Sequence, residues 1–201
     1  MQSIFQYIIK PLESRYKNTV KIGDSGTDFI VNTDVDNFKY ISREALVLSA
    51  PSGFKDTVPE GSTVIVHHNI FRRWYDVRAN ERNSFSYVDE EEYICSQDQI
   101  YMYKKDGDWV GFRDYCFVSA VENDDILDLE PVKLRVGIIE VDNDELNALG
   151  VFKGDTVRFT PSSEYEFVVD GRLMYRMRSI DIYAKETKKY KKYKPEFAEA
   201  N

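Results

Sequence analysis

The sequence predicts an all-β chain made of two copies of one small β-fold, and three observations carry that reading. Short runs of β-branched and aromatic residues recur along the chain, most of them bounded by Gly, Asp, Asn, Ser or Pro. Ahead of the C-terminal tail, a single stretch carries both a helix start and a helix stop. One pattern of glycine, Thr-Val and spaced Tyr and Ile occurs twice. The 201 residues allow one large domain or two small ones, and the repeat decides for two.

The elements follow in chain order. Val64-Ile65-Val66, Tyr93-Ile94-Cys95, Ile100-Tyr101-Met102-Tyr103, Tyr115-Cys116-Phe117-Val118 and Val136-Gly137-Ile138-Ile139 read as strands. Asp142 to Leu149 reads as a short helix, with an Asp/Asn start to cap its first turn and Gly150 to stop it. Gly61-Ser62-Thr63-Val64-Ile65-Val66 aligns with Gly154-Asp155-Thr156-Val157-Arg158-Phe159. Seven residues separate Tyr93 from Ile100 and Tyr175 from Ile182. From the glycine to that tyrosine is 32 residues in the first copy and 21 in the second, so the first carries an insertion, residues 70–83. The join falls near Lys104–Trp109, where Lys-Lys-Asp-Gly-Asp is a turn signal.

Composition excludes several classes. Lys plus Arg is 27 against 35 Asp plus Glu, a net charge of −8, which is unfavourable for a general nucleic-acid binder. Cys95 and Cys116 are too few for a disulfide framework and lack C-x-x-C spacing, so they read as buried free thiols. The opening apolar stretch is too short for a signal or a span, and the expectation is a soluble, cytoplasmic chain. No glycine-rich nucleotide loop occurs. No enzyme activity, cofactor or metal is expected. His67 and His68, adjacent in a strand, are expected on opposite faces, where they cannot chelate together. Asp89–Glu92 and the Asn32, Asp34, Asp36 string read as solvated charge.

Val151-Phe152-Lys153-Gly154-Asp155-Thr156-Val157-Arg158-Phe159 resembles the "hydrophobic-x-x-Gly-Asp-x-Val-x-Phe" segment of the GroES-type co-chaperonins. Tyr165-Glu166-Phe167, Leu173-Met174-Tyr175 and Ser179–Ala184 are similar to that family's closing strands. In the first copy, Tyr7–Lys10, Ala45–Ser49 and Val58–Val66 resemble its opening and middle strands more loosely. The resemblance covers about residues 4–104 and 108–186. It implies two tandem GroES-like small β-barrels: 1–106 with a long mobile loop at 17–37, 107–186 without one, and a flexible basic tail at 187–201. Phage-encoded members share a short roof and a long loop, matching the short Ala50–Thr57 turn here, so the resemblance extends to viral as well as cellular members.

What the resemblance implies for function is a co-chaperonin: a homo-oligomeric ring that lids a GroEL-type chaperonin ring and assists ATP-dependent folding. Phe29, Ile30 and Val31 would be the chaperonin-binding tripeptide, with Gly23 and Gly26 giving the loop its freedom. Burying three such side chains gains about 5–9 kcal/mol, while ordering each loop residue costs about 1–2 kcal/mol. One loop binds barely, and several on a ring bind through effective concentration. The alternative expectation is a phage virion component in a capsid, neck or tail ring. Neither reading calls for nucleic acid or membrane as a partner; the compartment is the cytoplasm, the host's if the chain is viral, or the virion in the alternative. Arg72, Arg73, Trp74 and Tyr75 form a basic-aromatic patch expected at a subunit contact or barrel cap. Lys185–Asn201 carries six Lys and three Glu, leaving −11 for the rest, so an acidic partner is expected at the tail.

Overall fold

The computed structural model describes residues 2–16, 19–22, 27–30, 41–125 and 130–194. The chain divides into two compact units, Met1–Lys104 and Lys105–Asn201. The first unit holds β1 (Tyr7–Pro11), β2 (Thr19–Ile22), β3 (Thr27–Ile30), β4 (Glu44–Ser49), β5 (Thr63–Val66), β6 (Arg73–Tyr75), β7 (Glu81–Asn83), β8 (Tyr93–Cys95) and β9 (Ile100–Lys105). The second holds β10 (Asp108–Gly111), β11 (Tyr115–Glu122), β12 (Val132–Val141), α1 (Asp144–Ala148), β13 (Thr156–Phe159), β14 (Tyr165–Val169), β15 (Arg172–Arg178) and β16 (Ile182–Lys185). The protein is all-β apart from α1 and short 3-10 turns, and all five of the runs read as strands lie in strands.

The two units repeat one topology. Each sheet has six strands; five of the first run β9-β5-β4-β1-β8 and five of the second β16-β13-β12-β11-β15, with β10 the sixth strand of the first and β14 that of the second. Register agrees residue by residue: Ile9 faces Val47 and Tyr93, as Val118 faces Ile139 and Tyr175. The same bulges recur, between Ile8 and Ile9 and between Phe117 and Val118, then between Ile65 and Val66 and between Arg158 and Phe159. Because a one-residue slip turns every side chain to the other face, matched bulges mark one buried pattern kept twice. Among the described residues neither sheet closes on itself.

The repeated glycines show why the sequence motif is shared. Gly61 and Gly154 sit at φ +81° and +92°, a left-handed conformation that suits glycine. Each donates its N–H to the preceding middle strand, Gly61 to Val47 O and Gly154 to Ile139 O, both at 2.8 Å. The segment between β8 and β9 and that between β15 and β16 also match. Ser96 N–H donates to Gln99 Oε1 and Arg178 N–H to Asp181 Oδ2, each at 3.0 Å.

Each unit has its own core. In the second, Cys116, Val118, Ile139, Leu146, Val151, Val157, Phe159 and Met177 pack together. The equivalent Tyr7, Ile9, Val47, Val64, Val66 and Cys95 of the first are all buried. Burial of each apolar side chain is worth roughly 1.5–3 kcal/mol. The expected helix forms at Asp144–Ala148, with Asn143 as its cap accepting the Leu146 N–H at 2.8 Å and Gly150 at φ +77° behind it.

Candidate functional site

The long connection between β1 and β4 is fastened at its base by residues near its two ends. Tyr16 bridges to Ile41, and Ser42 N–H donates to Arg15 O at 2.9 Å. Both Tyr16 and Ile41 are buried. The base is held to the insertion at 70–83. The Arg73 N–H donates to the Tyr16 hydroxyl at 2.9 Å, and the Arg73 guanidinium lies 4.9 Å over the Tyr16 ring. Arg15 reaches the same insertion: Nη2 donates to Asn83 Oδ1 at 2.7 Å and Nε to Phe71 O at 3.3 Å. Its guanidinium lies over the rings of Tyr87 and Tyr93 and 3.9 Å from Glu90, with its side chain 9% exposed.

The insertion is itself a small hairpin closed by polar contacts. β6 pairs with β7, and Ser84 ties both ends, its N–H to Arg72 O and its hydroxyl to Ile70 O. Asp76 accepts the backbone N–H groups of Asn80 and Arg78 and the Arg82 guanidinium. These bonds, the Asn80 N–H first, hold its carboxyl down at about 2. Ile70 and Phe71 are wholly buried, and Phe71 packs edge-on against Tyr93 at 4.8 Å.

The structure places the sequence-derived site residues as follows. Phe29 and Ile30 lie in β3, whose backbone pairs with β2 so that Phe29 faces Val20 and Ile30 faces Thr19. Val31, Gly23 and Gly26 lie outside the described residues. Of the basic-aromatic patch, Arg73 turns to the loop base and pairs with Glu81 at 3.6 Å, and Arg72 lies 5.8 Å from the Trp74 ring. Tyr75 is 52% exposed. Sequence reasoning missed Arg15 and Tyr16, the two side chains that join the loop to the insertion. Their hydrogen-bond partners in the insertion and its start lie 56 to 68 residues away, beyond any local periodicity.

The histidines depart from expectation. The strand ends at Val66, His67 caps the 3-10 turn His68–Ile70, and the two rings stack at 4.5 Å instead of pointing apart. Burial first, then His67, Arg43 and Arg72, lowers the His68 imidazole to about 4. Burial also pushes the Cys95 thiol up, and Cys116 up to about 12, so neither supplies a thiolate. Among the described residues no group of three or more His, Cys, Asp or Glu could hold a metal, and no helix is long and apolar enough to cross a membrane.

In the second unit the tail lies against its own sheet from Lys188 to Tyr193. Lys192 bridges to Val121, Glu122 N–H donates to Lys191 O at 2.8 Å, and Tyr193 N–H to Ala120 O at 3.0 Å. Lys192 Nζ meets Glu140 at 2.7 Å, Lys191 meets Glu122 at 3.1 Å, and Lys188 joins Lys133 on Asp124. The hydrogen bond from Lys133, then that from Lys188, holds Asp124 at about 2. These lysines pair with carboxylates of their own unit. Close by, a recess of about 160 Å³ opens between Val118, Ala120, Val136, Phe159 and Tyr175, with Leu134, Arg135 and Glu164 among its other walls.

No protein-family model matches the chain, and no curated protein sequence matches it.

Proposed function

We propose that this chain is a co-chaperonin: a homo-oligomeric, ATP-independent lid for a chaperonin ring, built from two tandem GroES-like barrels. The observation that carries the reading is the asymmetry of a duplicated fold. Both units keep the same strand order and register, and the first alone carries a long connection, residues 12–43, clamped at its base by Arg15 and Tyr16. A clamped base with a polar, glycine-containing loop beyond it suits a segment that docks elsewhere. Phe29, Ile30 and Val31 are the docking tripeptide, and the units form the ring wall. The chain performs no catalysis; ATP hydrolysis belongs to the chaperonin.

The test is co-sedimentation with a chaperonin ring and measurement of its ATPase, comparing the wild type with Phe29→Ala/Ile30→Ala. The wild type is expected to bind in the presence of nucleotide and slow the ATPase, and the double variant to lose at least tenfold in binding. An assembled oligomer that leaves the chaperonin untouched refutes the proposal. The β2–β3 ladder favours a second reading, a virion ring component whose loop is an assembly arm. That reading predicts the chain in purified particles and no effect on chaperonin ATPase.

A further inference from the structure

The duplication supplies an internal reference for the recess in the second unit. Register makes Val118, Phe159 and Tyr175 the counterparts of Ile9, Val66 and Tyr93. In the first unit that corner is sealed: Phe71 packs on the Tyr93 ring at 4.8 Å, and Ile9, Val66, Ile70, Phe71 and Tyr93 are all fully buried. The insertion that delivers Ile70 and Phe71 has no counterpart after β13, where a short turn leads directly to β14. Tyr175 is accordingly left half-buried, and the recess opens beside it. At about 160 Å³ it is smaller than the roughly 300–1,000 Å³ of a small-molecule pocket and suits one or two side chains.

The lip carries further information. Arg135 lies at φ +59° within β12, a left-handed conformation that a non-glycine residue adopts at a cost. The β11–β12 register shifts between Ala120 and Glu122, across from this point. The irregularity leaves Leu134 72% exposed and Arg135 exposed beside the recess. Lys133 is committed to Asp124, and Glu164 stands among the other lining residues. An exposed guanidinium at the mouth of an apolar recess complements a carboxylate next to an apolar side chain.

We infer that this recess is a docking socket for an aromatic side chain and its aliphatic neighbour, presented by a partner polypeptide with an adjacent carboxylate. Ile70-Phe71 of the first unit is the built-in copy of that ligand. The inference is independent of chaperonin binding and uses a different unit from the loop.

The experiment uses the full chain and a fluorescein-labelled peptide, Gly-Ser-Ile-Phe-Asp-Asp-Ser, followed by fluorescence polarisation. Saturable binding is expected, with contacts in NMR spectra from the peptide Phe ring to the Val118 and Ala120 methyl groups. Ala120→Phe, which fills the recess, is expected to weaken binding by about tenfold or more. Arg135→Gly is expected to weaken it by about fivefold, and by no more for a peptide with Asn in place of Asp. The NMR contacts need no variant, so a poorly folded Ala120→Phe leaves the proposal testable. It is overturned if the wild type shows no saturable binding, or if replacing Ile-Phe by Ser-Ser leaves affinity unchanged. It is also overturned if Ala120→Phe lowers the oligomer mass while the wild type ignores the peptide, which would make the occupant a second copy of the chain.

Discussion

Replacing Arg15 by Met tests the link between the loop and the insertion. The change keeps most of the aliphatic length and removes the guanidinium. Two hydrogen bonds disappear, the 2.7 Å bond to Asn83 Oδ1 and the 3.3 Å bond to Phe71 O, both in part-buried surroundings. A bond to a charged group is worth about 1.5–3 kcal/mol, and the longer one sits at the low end. The stacking over Tyr87 and Tyr93 adds about 0.5–1 kcal/mol, part of which the Met thioether recovers. The 3.9 Å pair with Glu90, whose side chain is 71% exposed, adds little. The expected loss is about 3–5 kcal/mol.

Hydrogen exchange read residue by residue is the appropriate assay, because a chain of two units need not unfold in one step. The Arg73 and Ser84 amides report on the clamp, since they donate to Tyr16 Oη and Arg72 O. Their protection is expected to fall by about two to three and a half orders of magnitude in Arg15→Met, tenfold for each 1.4 kcal/mol. Arg15→Lys retains the charge but not the forked donor set and should fall between. A change of less than about threefold at both amides in Arg15→Met would refute the clamp.

Four further outcomes are expected. Gly111→Ala would bring a Cβ to 2.1 Å from Tyr115 O and 2.8 Å from Asp142 O, both backbone, and should cost more than about 3 kcal/mol in a denaturant titration. Gly171→Ala, with open space but φ +69°, should cost only about 1–2 kcal/mol in the same titration. Asn143→Ala removes a cap and the donor to Tyr115 O and Ser179 Oγ, both 2.9 Å away in a buried site, and is expected to cost about 2–4 kcal/mol by thermal melting. His68 sits at about 4 in the folded chain, below its ordinary value of 6.5, so the fold favours the neutral ring. Its contribution is complete above about pH 6.5 and is lost as the pH falls through 4, by about 1–2 kcal/mol after allowance for its partial exposure. His68→Gln should flatten that part of the stability profile.

The strands were legible because their signal is local. Val64-Ile65-Val66 and Tyr115–Val118 announce themselves in composition, and Gly61 and Gly154 are required by a backbone conformation that recurs at the same point of each copy. Asn143 and Gly150 were readable for the same reason. The clamp was not, because Arg15 and Tyr16 look like the polar start of a loop and acquire meaning only from Phe71, Arg73 and Asn83. The histidine reading failed on a boundary: alternation across a strand was assumed for His67 and His68, but the strand stops one residue earlier. The tail's pairing with Glu122, Asp124 and Glu140 was not legible either, because a Lys-Tyr run carries no local sign of acids far away in sequence.

The two units also show where such a fold admits change. Five strands with shared register and shared bulges leave little freedom within the ladder, because one slip would expose the buried set. Divergence has therefore collected in the connections. The first copy has its two insertions joined: the base of the 12–43 connection is held by Arg15 and Tyr16 to the 70–83 hairpin, which seals the corner behind Tyr93. In the second copy a short turn follows β13, and Tyr175 is left half-buried beside the recess. A chain with one loop and one recess carries two unlike surfaces on like scaffolds, and either can vary without altering the ladder beneath the other.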